Sequence, residues 1–125
     1  MKLLLDSHIF LWARNSPEKI DPTAIAEMIS PQNIVFVSLV SMWELQINAS
    51  LEKIKLPDHF FDGIETKGYE LLPIQIDHIK SLKQLPFLHR DPFDRMLVAQ
   101  AKSEGLTLVT RDQEILKYDV PTLKG

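Results

Sequence analysis

Short apolar runs alternate along this chain with longer stretches in which apolar residues recur at helical spacing. The runs are KLLLD (2–6), NIVFVS (33–38), YELLPI (69–74), LTLVT (106–110) and VPTL (120–123), and each reads as a strand. Runs apolar at successive positions predict strands covered on both faces. The third holds Pro73, which cannot donate to a ladder and predicts a place near an edge.

Helices are predicted between these strands. One spans 7–14 and breaks at Asn15-Ser16-Pro17. Another opens on the cap pair Asp21-Pro22 and runs to about Ser30, before Pro31. A third covers about 38–51. Pro57-Asp58 opens a fourth, closed by Gly68 after Lys67, and a short one spans 77–84. Asp91-Pro92 opens the last long helix, to Glu104, with Gly105 beyond it, and a helical turn follows Asp112. Strands alternating with helices predict an α/β fold with a central parallel sheet of about five strands and helices on both faces. No repeat, low-complexity tract or linker divides the chain, so 1–125 reads as a single domain. Trp12, Trp43, Phe60 and Phe61 read as core.

Composition narrows the chemistry. With no cysteine, disulfides, thiolate zinc sites and cysteine nucleophiles are excluded. The start, MKLLLDSHIFLWARN, is interrupted by Asp6 and His8, so it does not read as a signal peptide, and no run approaches the roughly 20 apolar residues of a membrane span. The expectation is a soluble, cytoplasmic protein with no membrane partner. Net charge is −3, which argues against a general nucleic-acid binder. Three of the four arginines (Arg90, Arg95, Arg111) nevertheless lie within four residues of Asp91, Asp94 or Asp112. Cations neutralising those acids would leave a local phosphate-binding patch.

The acids then become the central question. In an open α/β sheet, ligands bind at the carboxyl ends of the strands. Asp6 ends the first strand and Asp112 follows the fourth. Asp94 lies in the first turn of the helix leading into the fourth strand, and Glu44 early in the helix after the second. All four fall on one rim. At helical spacing Asp94 shares a face with Leu97, Val98 and Ala101, and Glu44 with Val40, Ile47 and Leu51. Carboxylates so placed must be paired, protonated or metal-bound, and hard oxygen donors suit Mg²⁺ or Mn²⁺.

Each acid also has a plainer reading. Asp91 fits an N-cap, Asp94 a favourable helix-dipole position, Ser41-x-x-Glu44 a capping box and Asp112 a cap for the last turn. Asp6 has no obvious structural role at the end of a buried strand. His8, His89, Arg90, Arg95 and Arg111 are candidates for holding phosphates, although Arg95 is also spaced to pair with Asp91. His8 and His89 lack the paired spacing of zinc ligands. A receiver-like domain would want adjacent acids after the first strand, and a haloacid-dehalogenase-type phosphatase would want D-x-D there. The chain has Asp6-Ser7-His8.

LLLDSHIFLW, SMWEL, HRDPFDRMLVAQA and LTLVTRD, in this order over nearly the whole chain, resemble the PIN-domain ribonucleases, most closely the VapC-type toxins of bacterial toxin–antitoxin modules. DPFDRMLVAQA followed by LTLVTRD is the specific part. The resemblance implies a three-layer α/β, Rossmann-like sandwich and an acidic quartet at Asp6, Glu44, Asp94 and Asp112 holding one or two Mg²⁺ ions, with Mn²⁺ substituting. It places accessory roles at Ser7, Thr110 and, in this subgroup, Asp91. It implies RNA cleavage, often of structured RNA such as tRNA, inhibition of translation and growth, a VapB-type antitoxin partner and frequent homodimers. The alternative is a non-catalytic RNA- or protein-binding module of the same fold.

Overall fold

A parallel sheet of five strands forms the middle of the molecule, in the order β3-β2-β1-β4-β5. The computed structural model describes residues 1–125. The strands are β1 (Lys2–Leu5), β2 (Ile34–Ser38), β3 (Tyr69–Leu72), β4 (Thr107–Thr110) and β5 (Thr122–Lys124). The helices are α1 (Ser7–Asn15), α2 (Pro22–Ile29), α3 (Leu39–Ser50), α4 (Ile76–Ser81) and α5 (Pro92–Glu104). Tyr69–Leu72 is an edge strand that ends just before Pro73, as the missing donor requires.

The apolar runs explain the layers. In β1, Leu3 and Leu5 point into one core and Leu4 into the other, all fully buried. The first core joins Val35, Val37 and Val109 to Ile9 and Phe10 of α1, Ala24 of α2 and Leu45 of α3. The second joins Leu72 and Leu108 to Leu97, Val98 and Ala101 of α5. Both faces of the sheet are therefore covered, as the sandwich requires.

The predicted helix over 57–67 does not form. The segment is a series of turns ending in a single 3-10 turn, Glu65–Lys67. His59 and Gly63 both adopt positive φ, 62° and 67°, which no right-handed helix accommodates. The segment folds this way to deliver Phe60 and Ile64 into the first core. Of the four aromatic residues read as core, Phe60 is buried, while Trp12 and Phe61 are partly buried against that core. Trp43 is 58% exposed, because α3 buries Val40, Ser41 and Leu45 and turns Trp43 away. It packs edge-to-face with the Phe93 ring, with centroids 5.2 Å apart. Leu51, placed on the Glu44 face by spacing, is likewise exposed.

Successive strands run outward from β1 through β2 to β3, and the chain then crosses to β4 on the other side of β1. The sheet thus reverses its winding between β1 and β4. A crevice opens at the carboxyl ends of two such strands, because their connections leave in opposite directions.

Candidate active site

Asp6 and Thr110 stand on the two sides of that crevice. The Thr110 hydroxyl donates to Asp6 Oδ2 at 2.5 Å. Asp6 Oδ1 accepts the Ile9 N–H at 2.8 Å, so Asp6 is the N-cap of α1. This supplies the structural role that the sequence left without a candidate. Burial still dominates and raises the Asp6 carboxyl above its ordinary value, despite these two bonds.

Glu44 arrives from α3. It does not cap that helix, because Ser38 does, accepting the Val40 N–H at 3.0 Å. Its Oε1 takes the Ser7 hydroxyl proton at 2.6 Å. Burial again raises its pKa, with Asp91 and Asp6 adding to the rise.

Asp94 comes from the first turn of α5. Asp91 caps this helix, accepting the N–H groups of Phe93 and Asp94 at 2.9 and 3.1 Å. The plain reading of Asp91 is therefore correct. Asp94 itself caps nothing, and its one protein partner is His89, whose Nε2 lies 3.3 Å from Oδ2. Burial, then Asp91, Asp112, Glu44 and Asp6, push its carboxyl up to about 8. Residues far apart in sequence thus feel one another's charge at one rim. Asp112 is exposed and accepts the Glu114 N–H at 2.8 Å, ahead of a 3-10 turn at Ile115–Lys117.

The PIN domain family model matches residues 3–121. The chain belongs to the PIN-domain family. Ribonuclease VapC22 of Mycobacterium tuberculosis is 25% identical to this PIN domain over 122 residues, covering 95% of this chain and 93% of that protein. Among solved structures, VapBC2 from Rickettsia felis, bound to a DNA fragment from their promoter, superposes with a TM-score of 0.76 at 19% identity over 98% of both chains. DNA-bound VapBC from Salmonella typhimurium gives 0.71 at 18% identity, covering 98% of this chain and 97% of that one. VapBC-5 from Mycobacterium tuberculosis gives 0.63 at 19%, covering 99% and 98%. The family and the sandwich expected from the sequence both hold.

The basic residues of this PIN domain need correction. Arg95 is buried, and its guanidinium donates to the Pro86 carbonyl at 2.9 Å and the Tyr118 hydroxyl at 3.1 Å. It neither pairs with Asp91 nor remains free for an RNA phosphate. Arg111 is also engaged: it donates to the Gly125 and Lys19 carbonyls at 2.9 and 2.5 Å and stacks on Trp12. Arginines satisfy loop carbonyls well because five fixed donors can reach several acceptors. His89 is turned inward to Asp94 and to Tyr118, with Nδ1 2.8 Å from the hydroxyl. His8 and Arg90 are exposed and their side chains make no hydrogen bond within the protein, and the His8 charge favours the ionised forms of Asp6 and Glu44. Tyr118, which ties Arg95 to His89, was not anticipated, since nothing in the spacing of residues 115–118 marks it.

The donor set fits a hard divalent cation. No three carboxylate or imidazole groups close on an ion by themselves. Asp6 and Glu44 each accept a hydroxyl hydrogen bond, and one Asp94 oxygen lies against His89. Mg²⁺ commonly takes one or two carboxylates and keeps several waters, so this half-open arrangement suits it.

Proposed function

We propose that this PIN domain is a Mg²⁺- or Mn²⁺-dependent endoribonuclease, the toxin of a pair with a VapB-type antitoxin. The observation that carries the reading is Asp94: a half-buried carboxylate with no capping role, among four other acids. Such a group costs stability unless a cation joins it. Asp6 and Asp94 would hold the cation directly, and Glu44 and Asp112 directly or through water. When bound, the cation supplies an acidified water and stabilisation of charge on the phosphate.

The protein side chains set the geometry. The Ile9 N–H and the Thr110 hydroxyl fix Asp6, and the Ser7 hydroxyl fixes Glu44. His8 and Arg90, both exposed, are left to meet flanking phosphates. The names of VapC22 and of the VapBC structures support an RNA substrate and an antitoxin partner.

A non-catalytic binding module draws its support from the capping done by Asp6 and Asp91 and from the local turn contact of Asp112. Asp94 separates the two readings, and cleavage of labelled total tRNA by antitoxin-free protein tests them. The nuclease reading expects cleavage with Mg²⁺ or Mn²⁺, lost in EDTA and in folded Asp94→Asn. Folded wild type that neither cleaves RNA nor binds Mn²⁺ by calorimetry would make the binding module the better account.

A further inference from the structure

Asp94 and Arg95 leave the first turn of α5 in different directions and reach the same hydrogen-bonded chain. Besides Pro86, Arg95 donates to the Leu85 carbonyl at 3.5 Å, and its guanidinium carbon lies 4.2 Å from the centroid of the Phe87 ring. These contacts clamp residues 85–87, two positions before His89. The Tyr118 hydroxyl takes the third Arg95 hydrogen bond and lies against His89 Nδ1. His89 and Asp94 are both nearly buried, their side chains 13% and 14% exposed.

The inventory of protons allows this chain to run from Arg95 to Asp94. Arginine only donates. The Tyr118 oxygen accepts from Arg95, which leaves its single proton available to His89 Nδ1. A neutral imidazole that accepts at Nδ1 carries its proton on Nε2, which faces Asp94 Oδ2. Asp94 Oδ1 takes no hydrogen bond from the protein.

We propose that His89 is a positioning residue: Tyr118 holds it as the Nε2–H tautomer, and that N–H fixes the Asp94 carboxylate with Oδ1 left for the cation. The inference rests on the reading of Asp94 as a metal ligand. It assigns Arg95 and Tyr118 to the same support, which explains why a buried arginine stands beside an acidic rim. Hydrogen-bond partners of metal ligands typically contribute about 10–100-fold to metal affinity.

The test is calorimetric Mn²⁺ binding to wild type, His89→Ala, His89→Gln and Tyr118→Phe, each confirmed folded by circular dichroism. His89→Ala is expected to weaken Mn²⁺ by about 10–100-fold. His89→Gln restores most of the affinity, because its amide N–H reaches the place of Nε2–H. In ¹⁵N-histidine spectra with Mg²⁺, His89 shows a proton on Nε2, and Tyr118→Phe shifts that signal. Wild-type affinity in His89→Ala, or a proton found on Nδ1 alone, would overturn the proposal. Wild type that binds no Mn²⁺ would overturn the metal reading itself, and this role with it.

Discussion

Burial and four neighbouring carboxylates hold the Asp94 carboxyl at about 8 in the metal-free protein, against an ordinary 3.8. The folded chain therefore keeps a proton that the unfolded chain has released. Stability must fall as pH rises from about 4 to about 8, because folding binds that proton throughout the window. Asp6 and Glu44 are shifted in the same direction and add to the slope. Asp94→Asn should flatten it and raise the melting temperature in EDTA at pH 8 by roughly 5 °C. Melting curves in EDTA across this pH range check the prediction, and a lower Asp94→Asn melting temperature at pH 8 would show that Asp94 supports the fold. All four acids were legible in the sequence because strand ends and helix starts are marked locally. Their surroundings were not. That Arg95 would be consumed by Leu85, Pro86 and Tyr118 depends on a contact 23 positions away, which no local pattern carries.

At the scale of elements, α5 shows what made the fold readable and what hid its supports. Asp91-Pro92 at its start, Gly105 in the left-handed region at its end and the Leu97, Val98, Ala101 stripe are all short-range signals. The 57–67 segment carried similar start and stop signals, yet His59 and Gly63 turn out of the helix to seat Phe60 and Ile64. Tertiary burial overrode local preference there. Gln100, fully buried in α5, was equally hidden. It accepts the Ser38 hydroxyl proton at 2.6 Å and donates to the Pro73 carbonyl at 3.3 Å, so it joins α5 to the start of α3 and the end of β3. Ser38 is the cap of the helix that carries Glu44. Gln100→Leu should destabilise the protein by about 1–3 kcal/mol, since both partners lose a buried hydrogen bond. Urea denaturation at unchanged m-value measures this, and a neutral effect would mean the tie is dispensable.

For the whole molecule, the sheet's change of winding between β1 and β4 explains why charge collects where it does. Asp6 and Thr110 end the two strands beside the crevice, while α3 and α5 begin at the same rim and bring Glu44, Asp91 and Asp94. The metal-free fold therefore carries concentrated negative charge on one edge of a chain whose net charge is only −3. On the proposed reading, a cation bound there would stabilise the folded state alone, by about 2.7 kcal/mol at a hundred times its Kd. For a domain of this size that corresponds to a melting temperature higher by roughly 10 °C. Thermal denaturation with increasing Mg²⁺ or Mn²⁺ should show this rise in wild type and little of it in Asp94→Asn. An equal rise with NaCl at matched ionic strength would mean screening of the rim, not a bound ion. Because a retained proton, a neutral side chain and a bound ion relieve the same repulsion, neutralising Asp94 should raise metal-free stability and lower cation affinity at once.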